Sequence, residues 1–135
     1  MTAGVVVRLE RPEPAALASL LTAELPPHAR LLVARDGDAQ QPIGVLALTP
    51  GPDDFAELLA LEVAPESRRS GVARRLVAAA LSYASVQRIR TLRFRVPVQA
   101  EAALAAARAL GFTEIDGFGA HVGDDSGVCF ARSVR

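Results

Sequence analysis

Apolar and polar residues change rhythm several times along the 135-residue chain. "GVVVRLE" reads as a short first strand. "EPAALASLLTAEL" puts Leu17, Leu20, Leu21 and Leu25 on one helical face, with Pro12 and Pro14 at its start, and "PPH" stops it. "ARLLVARDGD" is a strand running into a turn, and "QPIGVLALTPGPDD" is another strand closed by a Pro/Gly-rich turn. "FAELLALEV" is apolar on both faces, which predicts a central, buried strand. From Ser70 onward the period becomes helical. Val72, Leu76, Val77, Ala80, Leu81 and Ala84 share one face, opposite Arg74, Arg75, Ser82 and Ser85. "RTLRFRV" returns to alternation, with Leu92, Phe94 and Val96 against Arg93 and Arg95, and Pro97 ends it. "AEAALAAARAL" is an alanine-rich helix with Gly111 as its natural C′ residue. "FTEI" and "GVCFARSV" are the final strands, joined by the Gly/Asp-rich "DGFGAHVGDDS".

The predicted order is β-α-β-β-β-α-β-α-β-β. Three strands with short connections predict an antiparallel meander. The later strand-helix-strand unit predicts a parallel pair with a right-handed crossover. The fold class is therefore α+β, with a mixed, mainly antiparallel central sheet flanked by helices. No internal repeat or long linker divides the chain, so residues 1–135 are expected to form a single domain.

Half of the residues are hydrophobic and the formal net charge is zero. That balance argues against disorder, a nucleic-acid-binding tail and a polybasic membrane anchor. The most apolar stretch, "LVAAALSYA", is far too short for a membrane span. The first residues lack the basic start and long apolar run of a signal peptide. The single cysteine, Cys129, cannot form an internal disulfide or build a cysteine metal site, which makes a reducing cytoplasm the default compartment. Every basic residue is arginine, so the chain has no lysine of its own to be acylated.

One stretch crowds positive charge at a helix start. In "PESRRSGVARRL", Arg68/Arg69 and Arg74/Arg75 bracket Gly71 where the helix pattern begins. Cations at a helix N-terminus oppose its macrodipole unless an anion is there. A strand-to-helix turn aims free backbone N–H groups at one point, and Gly71 and Ala73 let an anion approach the backbone closely. Arginines at the rim add charge-assisted bonds to a multi-phosphate. Helix-end charge effects are about 0.3–1 kcal/mol each, enough in combination to hold a pyrophosphate. Other phosphate signatures fail: there is no GxxxxGK[ST], and "GFGAHVG" breaks the GxGxxG spacing and opens no helix. The bland alternative is a solvated basic helix start with an ordinary turn glycine.

"LEVAPESRRSGVARRLVAAAL" resembles the acyl-CoA-binding segment of the GNAT N-acetyltransferase superfamily. That family's pattern is a strand, then Pro, then [RQ]-x-x-G-x-[GA] opening a helix, which Arg68, Arg69, Ser70, Gly71, Val72 and Ala73 match without gaps. "ALGF" at Ala109 to Phe112 is similar to the end of the family's next helix. The resemblance implies acetyl-CoA as cosubstrate, its pyrophosphate on the backbone of this turn with Arg74 at the rim. It implies that the pantetheine arm pairs with the backbones of Leu61 and Val63, and that a backbone N–H near Leu61 serves the oxyanion. The implied activity is acetyl transfer to a primary amine, on a small molecule or a protein, by direct attack on the thioester. No metal is expected.

Acyl transfer needs a base for the amine. Glu57 and Glu62 stand in an otherwise apolar strand, and a carboxylate there is not what a purely structural strand needs. Glu57 sits where the family often places its base. Strand-end exposure to water is the alternative, and Glu62 is the second candidate. Simple alternation puts the two on opposite faces; a bulge would change that. The family's usual acid is a tyrosine four residues before the "GF" glycine, where this chain has Ala107. The only tyrosine, Tyr83, is expected to be a packing residue. A CoA thiol near pKa ~8.5, by analogy with cysteine, makes an acid helpful rather than obligatory.

His28 or His121 could reach an acceptor site, with a solvated loop histidine as the plainer reading. Arg93 and Arg95 could line an acyl-CoA or acceptor cleft, with a solvated or subunit-facing strand surface as the plainer reading. Cys129 is read as a small buried hydrophobe. A metal at His121, Asp124 and Asp125 lacks supporting spacing. With one clear helix between the first two strands, the acceptor side is expected to be open, a place for a second subunit in a homodimer. Three functions compete: an acyl-CoA-dependent N-acyltransferase, a non-catalytic acyl-CoA-binding domain of the same fold, and a nucleic-acid module. Zero net charge and few aromatics count against the last.

Overall fold

The computed structural model describes residues 5–10, 21, 24–37, 41–51 and 53–134. The predicted first helix lies almost wholly outside these residues. Leu21 and Leu25, at its C-terminal end, are described and pack against the sheet. The strands are β1 (Val5–Glu10), β2 (Arg30–Asp36), β3 (Pro42–Pro50), β4 (Phe55–Val63), β5 (Thr91–Pro97), β6 (Thr113–Ile115) and β7 (Gly127–Ser133). The helices are α1 (Val72–Val86) and α2 (Glu101–Ala109), with short 3-10 turns at Pro65–Ser67 and Gly119–His121.

The strands form one seven-stranded sheet in the order β1-β2-β3-β4-β5-β7-β6. The meander β1 to β4 is antiparallel throughout, as the short connections require. Among the described residues the only parallel pair is β4 with β5, joined through α1. β7 then inserts between β5 and β6, antiparallel to both. This is the expected α+β class, with a mixed, mainly antiparallel sheet.

Both described helices cover one face. Val72, Leu76, Val77, Ala80 and Ala84 of α1 and Ala107 of α2 pack with Leu46, Leu48, Leu58, Leu92 and Phe130 of the sheet. Each large aliphatic buried here contributes about 1.5–3 kcal/mol. Tyr83 packs against this core, as expected. On the opposite face, Leu31, Val33, Val45, Ala47 and Ala64 form a second cluster with Leu21 and Leu25. A third cluster beside it joins Phe55, Phe118 and the buried Cys129.

Gly44 on β3 sets the seat of α1. A Cβ there would come within 2.8 Å of Val72 and 3.0 Å of Leu76. Gly44 pairs with Val63, so the start of α1 is drawn down beside the end of β4. At the sheet edge, Arg35 of β2 grips Glu10 of β1 through two hydrogen bonds, Nε to Oε2 at 2.9 Å and Nη2 to Oε1 at 2.7 Å. The hydrogen bond from Arg35 holds the Glu10 carboxyl below its ordinary value of 4.5. A depressed carboxyl stabilises the fold above its unfolded pKa and loses that contribution as pH falls through the folded value. Glu10→Gln is therefore expected to lower stability by about 0.5–1 kcal/mol near neutrality. The gap to wild type should close as denaturation is repeated below pH 4.5; a gap that persists in acid would assign the loss to packing.

Candidate functional site

The sheet opens at one place. β3 and β4 change register between Ala47/Leu48, because Ala60 pairs with Ala47 but Leu58 pairs with Leu48. Leu59 is the extra residue of a β-bulge. Leu59 and Ala60 consequently both pack on the Leu31/Val33 cluster, and the side-chain alternation of β4 inverts beyond them. β4 and β5 pair only over Phe55–Thr91, Ala56–Leu92 and Glu57–Arg93, and then diverge. A cleft of about 310 Å³ fills the gap, floored by Leu58 to Leu61, walled by Phe94 to Pro97 of β5, and reached by Ala106 and Ala107 of α2 and by Leu110 just past its end.

Beyond the bulge, the backbone of β4 faces this gap. Ala64 N–H donates to Ile43 O of β3 at 2.8 Å. Peptide groups alternate along a strand, so Leu61 and Val63 turn theirs the other way, toward the space β5 has left. Arg68 Nε donates to Val63 O at 3.2 Å, in agreement with that direction.

The cleft runs into a second one of about 420 Å³ at the start of α1, and Ala106 and Leu110 line both. Val63, Arg68, Arg69, Gly71, Val72, Ala73 and Arg74 line the second cleft. Gly71 is the N-cap of α1, at φ 84, and no side chain caps the helix. Its first N–H groups also lack intrahelical partners by construction. The first turn carries no acidic residue. Arg69 is itself left-handed, at φ 64. A Cβ on Gly71 would meet nothing within 4 Å, so the space over the turn is open. Val72 contributes only its backbone here, since its side chain is buried. Ser70 is the exception among the turn residues. It does not line the cleft, and its hydroxyl donates to Ser67 O inside the turn.

Glu57 lies at the apex where β4 and β5 part. Its cross-strand partner is Thr49, and that of Glu62 is Val45, four residues earlier on β3. The bulge thus places both glutamates on the same face, which simple alternation does not. Glu57 is not solvated as an isolated strand-end carboxylate. His121 Nε2 lies 2.9 Å from its Oε2, with the two side chains 23% and 28% exposed. Thr49 Oγ1, on the same face, is buried without a partner.

His121 is therefore not the solvated loop residue expected from sequence; His28 is exposed as expected. Arg93 and Arg95 also depart from expectation. Arg93 lies over the Phe55 ring at 4.6 Å, and Arg95 pairs with Asp124 at 3.0 Å. The first contact follows from the parallel pairing of β4 with β5; the second, and that of His121, form because β7 returns beside β5 and carries the preceding loop back over this face. No local period in the sequence signals that return, although Gly117, Gly119 and Gly123 mark the loop as built for tight turns.

The description of the matching family profile is "Acetyltransferase (GNAT) family", and it spans residues 6–112. The chain belongs to the GNAT acetyltransferase family. No curated protein matches its sequence. Among solved structures, a protein named as an acyl-CoA N-acyltransferase from Klebsiella pneumoniae superposes with a TM-score of 0.81 at 20% identity, covering 97% of this chain and 98% of its own. A Bacillus subtilis acetyltransferase in complex with CoA gives 0.77 at 16% identity, covering 96% and 99%. The ribosomal-protein-S18-alanine N-acetyltransferase of Escherichia coli gives 0.68 at 14% identity, covering 96% and 94%. These likenesses establish the GNAT fold.

One further position bears on the chemistry of this GNAT chain. Ala107 is buried against the core and lines the cleft where a tyrosine hydroxyl is expected in relatives. Among the described residues lining that cleft, Arg95 is the only ionisable one. Among the described residues there is no group of three or more potential metal ligands, and no helix is long and apolar enough to cross a membrane.

Proposed function

We propose that the protein is an N-acyltransferase that moves an acetyl group from acetyl-CoA to a primary amine by direct attack on the thioester. The single observation that carries this reading is the join between two features. The outward-facing peptide groups of Leu61 and Val63 lie in a cleft that shares Ala106 and Leu110 with the one at the uncapped, arginine-rimmed turn at Gly71. A ligand that suits both has an amide-bearing arm at one end and a pyrophosphate at the other, and acetyl-CoA has that form. When bound, it supplies the activated acyl group and the thiolate that leaves.

The chain's own residues divide the remaining work. The amides of Gly71, Val72 and Ala73 and the guanidinium groups of Arg68, Arg69 and Arg74 hold the pyrophosphate. Leu61 and Val63 offer backbone hydrogen bonds to the pantetheine arm, and an N–H near Leu61 stabilises the developing oxyanion. Glu57 accepts the proton of the attacking amine, directly or through a water held with Thr49 Oγ1. The absence of a side-chain acid at Ala107 leaves the leaving sulfur without a side-chain proton donor in the cleft.

Ala107 also favours a second reading, a GNAT domain that binds acyl-CoA without turning it over. One experiment addresses both. Acetyl-CoA at 100 times its dissociation constant should add about 2.7 kcal/mol to stability, read as a rise in melting temperature. Absence of any shift with any acyl-CoA would remove both readings. Thiol release with a panel of small-molecule and protein amines then separates them: turnover with any acceptor selects the enzyme.

A further inference from the structure

The Glu57–His121 contact brings together residues 64 positions apart. We propose that His121 is the positioning residue of Glu57, holding Oε2 so that Oε1 faces the amine. This rests on the acyltransferase reading for its kinetic consequence, but not for the contact itself. An ionised carboxylate only accepts hydrogen bonds, so Nε2 carries the hydrogen and donates to Oε2. Oε1 has no partner among the described residues.

The loop from Asp116 to Ser126 is shaped to deliver this ring. The imidazole meets the Phe118 ring edge-on, with centroids 5.1 Å apart, and Phe118 in turn meets Phe55 edge-on at 5.4 Å. Phe118 is buried, and its carbonyl accepts the His121 N–H at 2.8 Å. Gly117 passes so close that a Cβ there would lie 2.5 Å from His121 O. Past the histidine, Asp124 N–H donates to His121 O at 3.1 Å, and the Asp124 carboxylate pairs with Arg95. Asp124 also accepts from the Ser126 N–H at 2.9 Å. Arg95 is one of the residues walling the acyl cleft. The histidine is thus pinned on one side by an aromatic wedge and on the other by a latch fixed to β5. A solvated loop histidine needs neither.

The test uses the full chain and an acceptor on which wild type turns over. His121→Ala should lower kcat about 10- to 100-fold, the cost of a misplaced base, and leave the KM for acetyl-CoA and its thermal shift nearly unchanged. His121→Gln, whose amide can donate to Oε2, should recover most of that loss. Asp124→Ala should lower kcat in the same way, and combined with His121→Ala should add little further loss, since both act through one contact. Wild-type kcat in His121→Ala, or no recovery in His121→Gln, would overturn the proposal. Nitrogen NMR of labelled histidine reads the contact independently of activity, with His28 as the internal reference. The His121 Nε2–H proton should be observable, shifted downfield and slowed in exchange with water, and should lose these features in Glu57→Ala. An unchanged spectrum would overturn the proposal even if acyl transfer is found. The expected spectrum in a chain that acylates nothing would support the contact and count against the acyltransferase reading alone.

Discussion

Gly71→Glu is expected to abolish acetyl-CoA binding in a chain that still folds. Two effects act in the same direction. The N-cap of α1 sits at φ 84, a conformation that costs an L-residue about 1–2 kcal/mol, so part of the turn geometry is lost. The new carboxylate also enters the open space over the turn, where a Cβ meets nothing within 4 Å. It then occupies the position proposed for the pyrophosphate and neutralises the arginines around it. Because that space is empty, no core packing is disturbed and the melting transition should remain cooperative. Gly71→Asn provides the control: asparagine tolerates the left-handed region and carries no charge, so it should retain weakened binding. The measurement is the acetyl-CoA-induced melting shift across the three proteins. A full shift in Gly71→Glu would place the pyrophosphate elsewhere.

Glu57→Gln is the complementary case, and should remove turnover while sparing binding. Loss of a positioned general base costs about 10²- to 10⁴-fold in rate. Glu57 lines neither of the two clefts proposed for the cosubstrate, so affinity for acetyl-CoA should be almost unaffected. Glutamine keeps an oxygen to accept from His121, which limits the change to the lost basicity. Single-turnover kinetics alongside calorimetry would measure the two quantities separately. Loss of affinity with kcat preserved would mean that Glu57 has been given the wrong role. Normal turnover would pass the role to Glu62, which the bulge brings onto the same face.

These two positions differ in how they can be read from sequence. The Gly71 turn is a contiguous stretch, and its chemistry is local: a strand, a glycine and a helix start fix where the amides point. Over the described residues the order of strands and helices was equally legible, since alternation and helical periodicity are short-range properties. The assignment of Glu57 was legible only as one of two carboxylates in an apolar strand. Its face relative to Glu62 depends on the extra residue Leu59, and nothing in "FAELLALEV" states which residue is unpaired. That is decided by the register β4 finds against β3.

His121, Arg93 and Arg95 were legible only as alternatives to a solvated surface, with nothing in the sequence to choose between the readings. The places of His121 and of Arg95's partner follow from the insertion of β7 between β5 and β6, a long-range pairing that carries the loop back over Phe55 and Glu57, whereas Arg93 meets Phe55 through the parallel pairing of β4 with β5. By itself, therefore, the sequence determined the fold class and the turn at Gly71, because both arise from interactions among near neighbours along the chain. Only the tertiary structure decided that β4 and β5 part at Glu57, and that Glu57 has a histidine partner. Both depend on strand register and on the return of a distant segment, which are settled when the whole sheet assembles.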